Sequence, residues 1–356
     1  MIAGSIAVGA RPAAPIKPAL DVPKPAAGIA DAAPAGIAEA KISRDDLFAA
    51  LFGQVGSGNT VSDAEMDTAV ATLQKAQKFF SQYGLDSRSG NGRLGVEFDP
   101  EYENAAYVHD PYGTYEALKI GNDARTGVSY ANAPDVLAHE YSHRVINNVL
   151  GLSAVGESGA VNESLADTFA AAMDPDDWTI GEDIVPGGLR SMSDPGRDQD
   201  AIETNYGLTP LPSHVKDYLY TEADDGGVHI NTGIPNKAAH LIGETLGRQK
   251  MADIYMQGIL NHMTPTAGIA DTARATLFAA HDLYGKTSTE SSAVKDAWEA
   301  VGIQFGKRSA TEPGTAPAPS PVTGRQRGGA PNPSPLPKFP PDVHPPYPHS
   351  HVVAAN

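Results

Sequence analysis

Two histidines flanking a glutamate, in His139-Glu140-Tyr-Ser-His143, are the side chains of this 356-residue sequence best suited to chemistry. On a helix, positions i and i+4 share one face about one turn apart. Both imidazoles can therefore reach one metal ion while Glu140 leans beside it toward a bound water. The chemistry this suggests is hydrolysis by an activated water, with Glu140 as the base. A helix whose polar stripe happens to include two histidines would read the same way over these five residues.

A catalytic zinc needs a third protein ligand and keeps its fourth position open, so the set has to be completed elsewhere. Ile146 and Val149 stand where one completion would place a glycine and a third histidine, which excludes that route. Downstream, Gly159-Ala-Val-Asn162-Glu163-Ser-Leu-Ala-Asp167 offers two carboxylates at i and i+4. Glu163 could bind the metal, and Asp167 could accept the other ring N–H of a liganding histidine. A solvated helix face would carry the same pair.

Elements must hold these side chains. Pro134 can open the helix that carries the histidines, and Gly151 can end it. Residues 63–83 form an amphipathic pattern with Ala69, Leu73, Ala76 and Phe80 at helical spacing and Ser62 as N-cap before Glu65. Strand-like pieces follow at 95–98, 105–109 and 114–120, separated by Asp99-Pro100 and Asp110-Pro111. Beyond residue 133 the pattern is mainly helical, with further helices expected over 236–247, 250–260, 272–284 and 292–301. The expected fold class is α+β, a β-containing lobe over 41–132 preceding a helical lobe over 133–307. Residues 1–40, with prolines at 12, 15, 18, 23, 25 and 34, read as an extended leader, and 308–356 as a proline-rich tail favouring polyproline II or disorder. The tail carries His344, His349 and His351, which read as solvated side chains ahead of a weak metal tract.

Composition narrows the partners. A formal net charge of -17 argues against nucleic acid, which needs clustered Lys and Arg. With no cysteine, a zinc site must be built from His, Asp and Glu. No run approaches the roughly 20 apolar residues of a membrane span, and the start lacks the basic residues that open a secretory signal.

Taken with further blocks, the sequence resembles the thermolysin family of metallopeptidases. The marks are His139-Glu-Tyr-Ser-His143, Gly159 to Asp167 with Glu163 twenty positions after His143, Ile180-Gly-Glu-Asp183, Leu189-Arg-Ser-Met-Ser-Asp-Pro195, and Gly226-Gly-Val-His-Ile-Asn-Thr-Gly233 followed by Asn236-Lys-Ala-Ala239. The resemblance runs in order from about 75 to 304. It implies a two-lobe zincin with the active-site helix between the lobes, one catalytic zinc on His139, His143 and Glu163, Glu140 as base, and peptide or protein substrates. It implies that His229 donates to the developing oxyanion with Asp224 orienting its ring, and that Arg190 binds a substrate carbonyl and braces the site. Asn104 and the main chain of Ala105 would hold the peptide as an added edge strand, and Val136, Ile180 and Leu189 would line the pocket after the cut or serve as ordinary core. Activity should peak near neutral pH and fall as acid protonates the ligands. Secretion follows from the resemblance, without a clear signal peptide.

Three departures from the family pattern stand out. Ala154 occupies the position of a tyrosine that, by the resemblance, gives a second hydrogen bond to the oxyanion, so the expectation is either a slow enzyme or one that borrows another donor such as Tyr107 or Tyr130. Asp135, Asp174, Asp177 and Glu182 are candidate ligands for one structural calcium, with a solvated acidic loop as the alternative, because Thr179 replaces a carboxylate and the loop 174–177 is short. Only 41–61 remains of the β-rich stretch that precedes the first helix. The leading expectation is a neutral endopeptidase cutting before a bulky apolar residue. Two alternatives are a zincin-fold binding protein whose proline-rich tail docks an SH3-like partner and a structural zinc protein with all four positions closed.

Overall fold

The structure, a computed structural model, describes residues 62–85, 94–110, 115–197, 201–204, 207–306 and 349–350. The expected leader, the stretch 41–61 and most of the proline-rich tail lie outside the described residues.

Helix α1 (Asp63–Ser81) begins in the capping box that its sequence announces. The Ser62 hydroxyl accepts the Glu65 N–H, and the Glu65 carboxylate takes the Ser62 N–H at 2.8 Å. Its stripe of Ala69, Leu73, Ala76 and Phe80 is buried. Strands β1 (Gly95–Phe98), β2 (Ala105–His109) and β3 (Glu116–Ile120) form a small sheet in which β3 is central, parallel to β1 and antiparallel to β2. Alternation puts Val96, Phe98, Ala105, Tyr107, Leu118 and Ile120 on the face that joins the core with α1. Strand β3 starts two residues later than the sequence pattern suggests. Gly121, just after it, passes so close to Tyr102 that a Cβ would run into that carbonyl.

The outer edge of β2 faces the site described below. The backbone N–H of Tyr107 points to this edge, so by the period of two the main-chain groups of Ala105 do as well. The two-residue strand His349–Ser350 pairs with it only at Val108 and His109.

Helices α2 (Pro134–Val149) and α3 (Gly156–Met173) run through the centre. Every residue of α2 from Asp135 to Ile146 is buried, so this helix is covered on all sides although Asp135, Glu140 and Arg144 lie within it. Pro134 at its start and Gly151 at φ 62° after its end fix its limits as the sequence suggested. Strands β4 (Thr179–Ile180) and β5 (Arg190–Ser191) pair antiparallel beside α3, and β6 (Ala201–Thr204) pairs with β7 (Gly207–Pro210). Helices α4 (Asp224–Asn231), α5 (Gly233–Leu246), α6 (Arg248–Asn261), α7 (Ile269–Tyr284) and α8 (Thr289–Ala300) complete the helical lobe. Four of these five match expected helices to within a turn. Residues 224–231 lie outside the expected helices; Asp225, Gly226 and Gly227 take left-handed φ and form a tight kink, after which the chain is helical from Val228. The result is an α+β fold of two lobes with α2 between them.

Candidate metal centre

Helix α2 supplies His139 and His143 one turn apart, and α3 packs across it to bring Glu163 to the same point. All three are at most 3% exposed. Glu163 stands 3.4 Å from the Nε2 of His139 and 3.5 Å from that of His143. The two Nε2 atoms themselves are 2.9 Å apart. Among the described residues this is the one group of three potential ligands whose donor atoms lie within 4.8 Å of one another.

The other ring nitrogens decide what that contact means. His139 Nδ1 is 2.7 Å from Asp167 Oδ1, and His143 Nδ1 is 3.0 Å from Asn162 Oδ1, both acceptors. With the protons held at Nδ1, the two Nε2 lone pairs face each other and the Glu163 carboxylate in a buried space. Three electron-rich groups so arranged repel unless a proton or a metal cation lies between them, so the residues fit a zinc-type ion. Asp167 also takes two parallel hydrogen bonds from Arg190, at 2.8 and 2.6 Å, and one from Asn236 at 2.8 Å. Burial opposes ionisation of Asp167, yet the charges of Arg190 and His139 hold its carboxyl well below the usual range. Burial likewise disfavours a charged His139, but Asp167 and Glu163 raise it to about 9 in the absence of a metal.

Glu140 lies beside the ligands. Its Oε2 accepts the backbone N–H of Tyr107 at 2.7 Å, while Oε1 is buried with no hydrogen-bond partner, 4.0 Å from His139 Nε2. Burial, with Glu163 adding to it, pushes its carboxyl up to about 8. On the facing side, Asp224 adopts φ 53°, which turns its carboxylate back onto the first turn of α4. There it receives the N–H of His229 at 2.7 Å and the His229 ring Nδ1 at 2.6 Å. His229 Nε2 is left without a hydrogen bond, buried and 3.6 Å from Glu163 Oε2. Burial alone would favour a neutral ring, but Glu163 and Asp224 raise the pKa of His229 above its ordinary value.

The expected residues therefore divide into four groups. His139, Glu140, His143, Glu163, Asp167, Arg190, Asp224 and His229 converge. Asn104 is 5% exposed, and neither of its amide atoms has a hydrogen bond, beside the open end of the β2 edge. Val136 and Ile180 are fully buried core, and of the three pocket candidates Leu189 alone is partly exposed. The four acidic candidates stay apart from the metal group. Asp135 accepts the N–H of Val136 at 2.8 Å and that of Gly181, and burial next to Glu182 raises its carboxyl to about 7. Asp177 accepts the Thr179 N–H, and Arg248 donates to the carbonyls of Ala171, Asp174 and Asp177.

Neither tyrosine considered as a substitute near Ala154 is available. The Tyr107 hydroxyl donates to Glu116 and that of Tyr130 to Asp123, both in buried contacts. Sequence reading also passed over Asn162, Asn236 and the Tyr107 amide. The two asparagines sit inside the motif blocks, where their presence was the sole signal, and a backbone amide leaves none.

Residues 151–303 match the family model described as thermolysin metallopeptidase, alpha-helical domain, which covers Glu163 through His229 and begins just after the two histidines. Bacillolysin of Brevibacillus brevis is 34% identical over 267 residues, 70% of this chain and 48% of that protein. A zinc metalloproteinase of Listeria monocytogenes is 33% identical over 270 residues, 71% of this chain and 49% of that protein. The chain thus spans about half the length of these relatives. Among solved structures, the precursor of protealysin, a metalloproteinase from Serratia proteamaculans, superposes with a TM-score of 0.57 at 28% identity, over 70% of this chain and 81% of that one.

Proposed function

This chain belongs to the thermolysin-like metallopeptidase family, and from that premise we propose that it is a zinc-dependent endopeptidase acting on peptides and proteins. The observation that carries the reading is the convergence of Glu140 Oε1 and His229 Nε2, both buried and without hydrogen bonds, on the space that His139, His143 and Glu163 enclose. A zinc ion there would supply Lewis acidity toward a carbonyl and a water.

The chain's own groups do the rest. Glu140, in the ionised form that a cation beside it would favour, takes a proton from the water and passes it to the departing amine. His229, held by Asp224, donates from Nε2 to the oxygen on which charge develops. Doing so with Nδ1–H already bonded to Asp224 requires the imidazolium, which the raised pKa favours. Substrate backbone pairs with the β2 edge at Ala105, where Asn104 offers its amide. Arg190 braces Asp167 and, through it, the ring of His139. Leu189 is the apolar side chain placed to favour a bulky apolar residue after the cut. Asp135 and Glu182 are the pair best suited to a single structural calcium, since two neighbouring carboxylates that burial drives toward protonation would gain from a cation. Secretion belongs to the same reading. A slow enzyme is favoured over a fast one by Ala154, with Tyr107 and Tyr130 engaged elsewhere.

The test is cleavage of casein and of a peptide library by the purified chain and by Glu140→Gln. Zinc-dependent cleavage before bulky apolar residues, lost in Glu140→Gln with zinc still bound, is the expected result. Full-rate cleavage by Glu140→Gln would refute the assignment of the base.

A further inference from the structure

Beside the metal group lies a buried ion pair that the chemistry above does not use. Arg144, the residue after the second histidine, points away from the metal and gives its Nε and Nη2 to Glu116 Oε1 at 3.0 and 2.6 Å. Glu116 opens β3 and is 9% exposed, and Arg144 is 3% exposed. The second oxygen of Glu116 accepts the hydroxyl of Tyr107 at 3.2 Å. Tyr107 is 1% exposed and sits on β2 diagonally across from Glu116, on the same face of the sheet.

Tyr107 thus has two ends. Its hydroxyl is held by the ion pair, and its backbone N–H is the group that holds Glu140. Helix α2 meets the sheet at both places, through Arg144 and through Glu140 one turn earlier on the same helix face. We propose that Glu116 and Arg144 are positioning residues that fix β2 against α2, so that the Tyr107 amide meets Glu140 and the peptide-binding edge at Ala105 stands at a set distance from the metal ligands. The catalytic part of this inference rests on the peptidase reading, while the structural part does not.

Two features favour positioning over mere stability. A buried ion pair is commonly no more stabilising than apolar residues of similar volume. Its directional hydrogen bonds fix geometry in a way that apolar packing does not. The pair joins the base-bearing helix to β3, the strand that β2 pairs with, and a third hydrogen bond runs from it to Tyr107 on the substrate-bearing strand β2. Displacement of a catalytic group by about 1 Å can cost on the order of 100-fold in rate.

The experiment uses the full chain with zinc bound and four variants: Glu116→Gln, Tyr107→Phe, Arg144→Lys, and the apolar double replacement Glu116→Leu with Arg144→Met. Glu116→Gln leaves Arg144 buried against a neutral partner and can fail to fold, so the double replacement, which removes both charges, keeps the test open. Hydrogen exchange at the Tyr107 amide is read beside thermal midpoint, zinc content, and kcat and KM on an extended peptide. In the folded double replacement the Tyr107 amide should exchange at least about tenfold faster while interior α2 amides keep their protection. Zinc should stay stoichiometric, with kcat lowered by about 10- to 100-fold and KM raised. Tyr107→Phe should show a smaller change in the same direction, and Arg144→Lys should recover part of it. A double replacement with wild-type exchange at Tyr107, or with wild-type kcat and KM, overturns the proposal and leaves the pair a packing element. If the unaltered chain cleaves nothing, the peptidase reading fails, and the exchange result alone decides whether the pair positions β2.

Discussion

Asp167 and Arg190 are joined by two parallel hydrogen bonds, at 2.8 and 2.6 Å, with the carboxylate fully buried. The same carboxylate orients His139. Asp167→Asn should therefore weaken zinc binding about 10- to 100-fold and, by leaving Arg190 buried against a neutral partner, destabilise the fold by about 3–5 kcal/mol. Zinc titration and thermal unfolding of the variant measure the two effects separately. A variant that binds zinc as the parent does would refute the orienting role.

The oxyanion side has His229 but no tyrosine at position 154. Replacing His229 by Ala should lower kcat about 100-fold or more with KM little changed, because the donor acts in the transition state. Ala154→Tyr should raise kcat. Steady-state kinetics on one peptide substrate check both, and an unchanged kcat in Ala154→Tyr would mean that no donor is missing.

Glu163 and Asp224 raise the pKa of His229, so its charged donor form is lost only as pH rises through that elevated value. The alkaline limb of kcat reports this loss. In Asp224→Asn the stabilising charge is gone, and the limb should move to lower pH. A limb that stays in place would assign it to another group.

Metal binding should depend on pH in the opposite sense. Without metal, His139 holds its proton up to about 9, so below that pH zinc must displace it, and affinity should fall about tenfold per pH unit for each proton released. Proton release on zinc addition, measured in weakly buffered solution, gives the number directly. Chelation should also lower the thermal midpoint, since it removes the cation among three buried electron-rich groups.

At the acidic loop, Asp135 and Glu182 should take up calcium with a rise in thermal midpoint that Asp135→Asn abolishes. In its absence the raised carboxyl of Asp135 costs stability as it ionises, so the calcium-free protein should lose stability as pH rises through about 7. Thermal scans with and without calcium across that range check the sign.

Much of the fold was legible in the sequence because its signals were local. The capping box at Ser62, the helical spacing of Ala69 to Phe80, Pro134 and Gly151 around α2, and the short β-branched or aromatic strands act within a few residues of themselves. The turn at Asp224 was not legible as a helix start, since left-handed φ at two aspartates depends on what their carboxylates grip, and Asp224 grips a histidine five residues on.

The site divides along the same line. The sequence by itself determined which side chains could bind a metal and work on a water, because the i and i+4 spacing of His139 and His143 and the helical spacing of Glu163 and Asp167 are properties of single helices. Tertiary structure alone decided that α2 and α3 cross where those side chains meet. It likewise decided that Tyr107 and Tyr130 spend their hydroxyls on Glu116 and Asp123, and that the backbone of β2 holds the base. These depend on packing between segments far apart in the chain, and the hydrogen-bonding capacity of a buried group is set by its neighbours rather than by its place in the sequence.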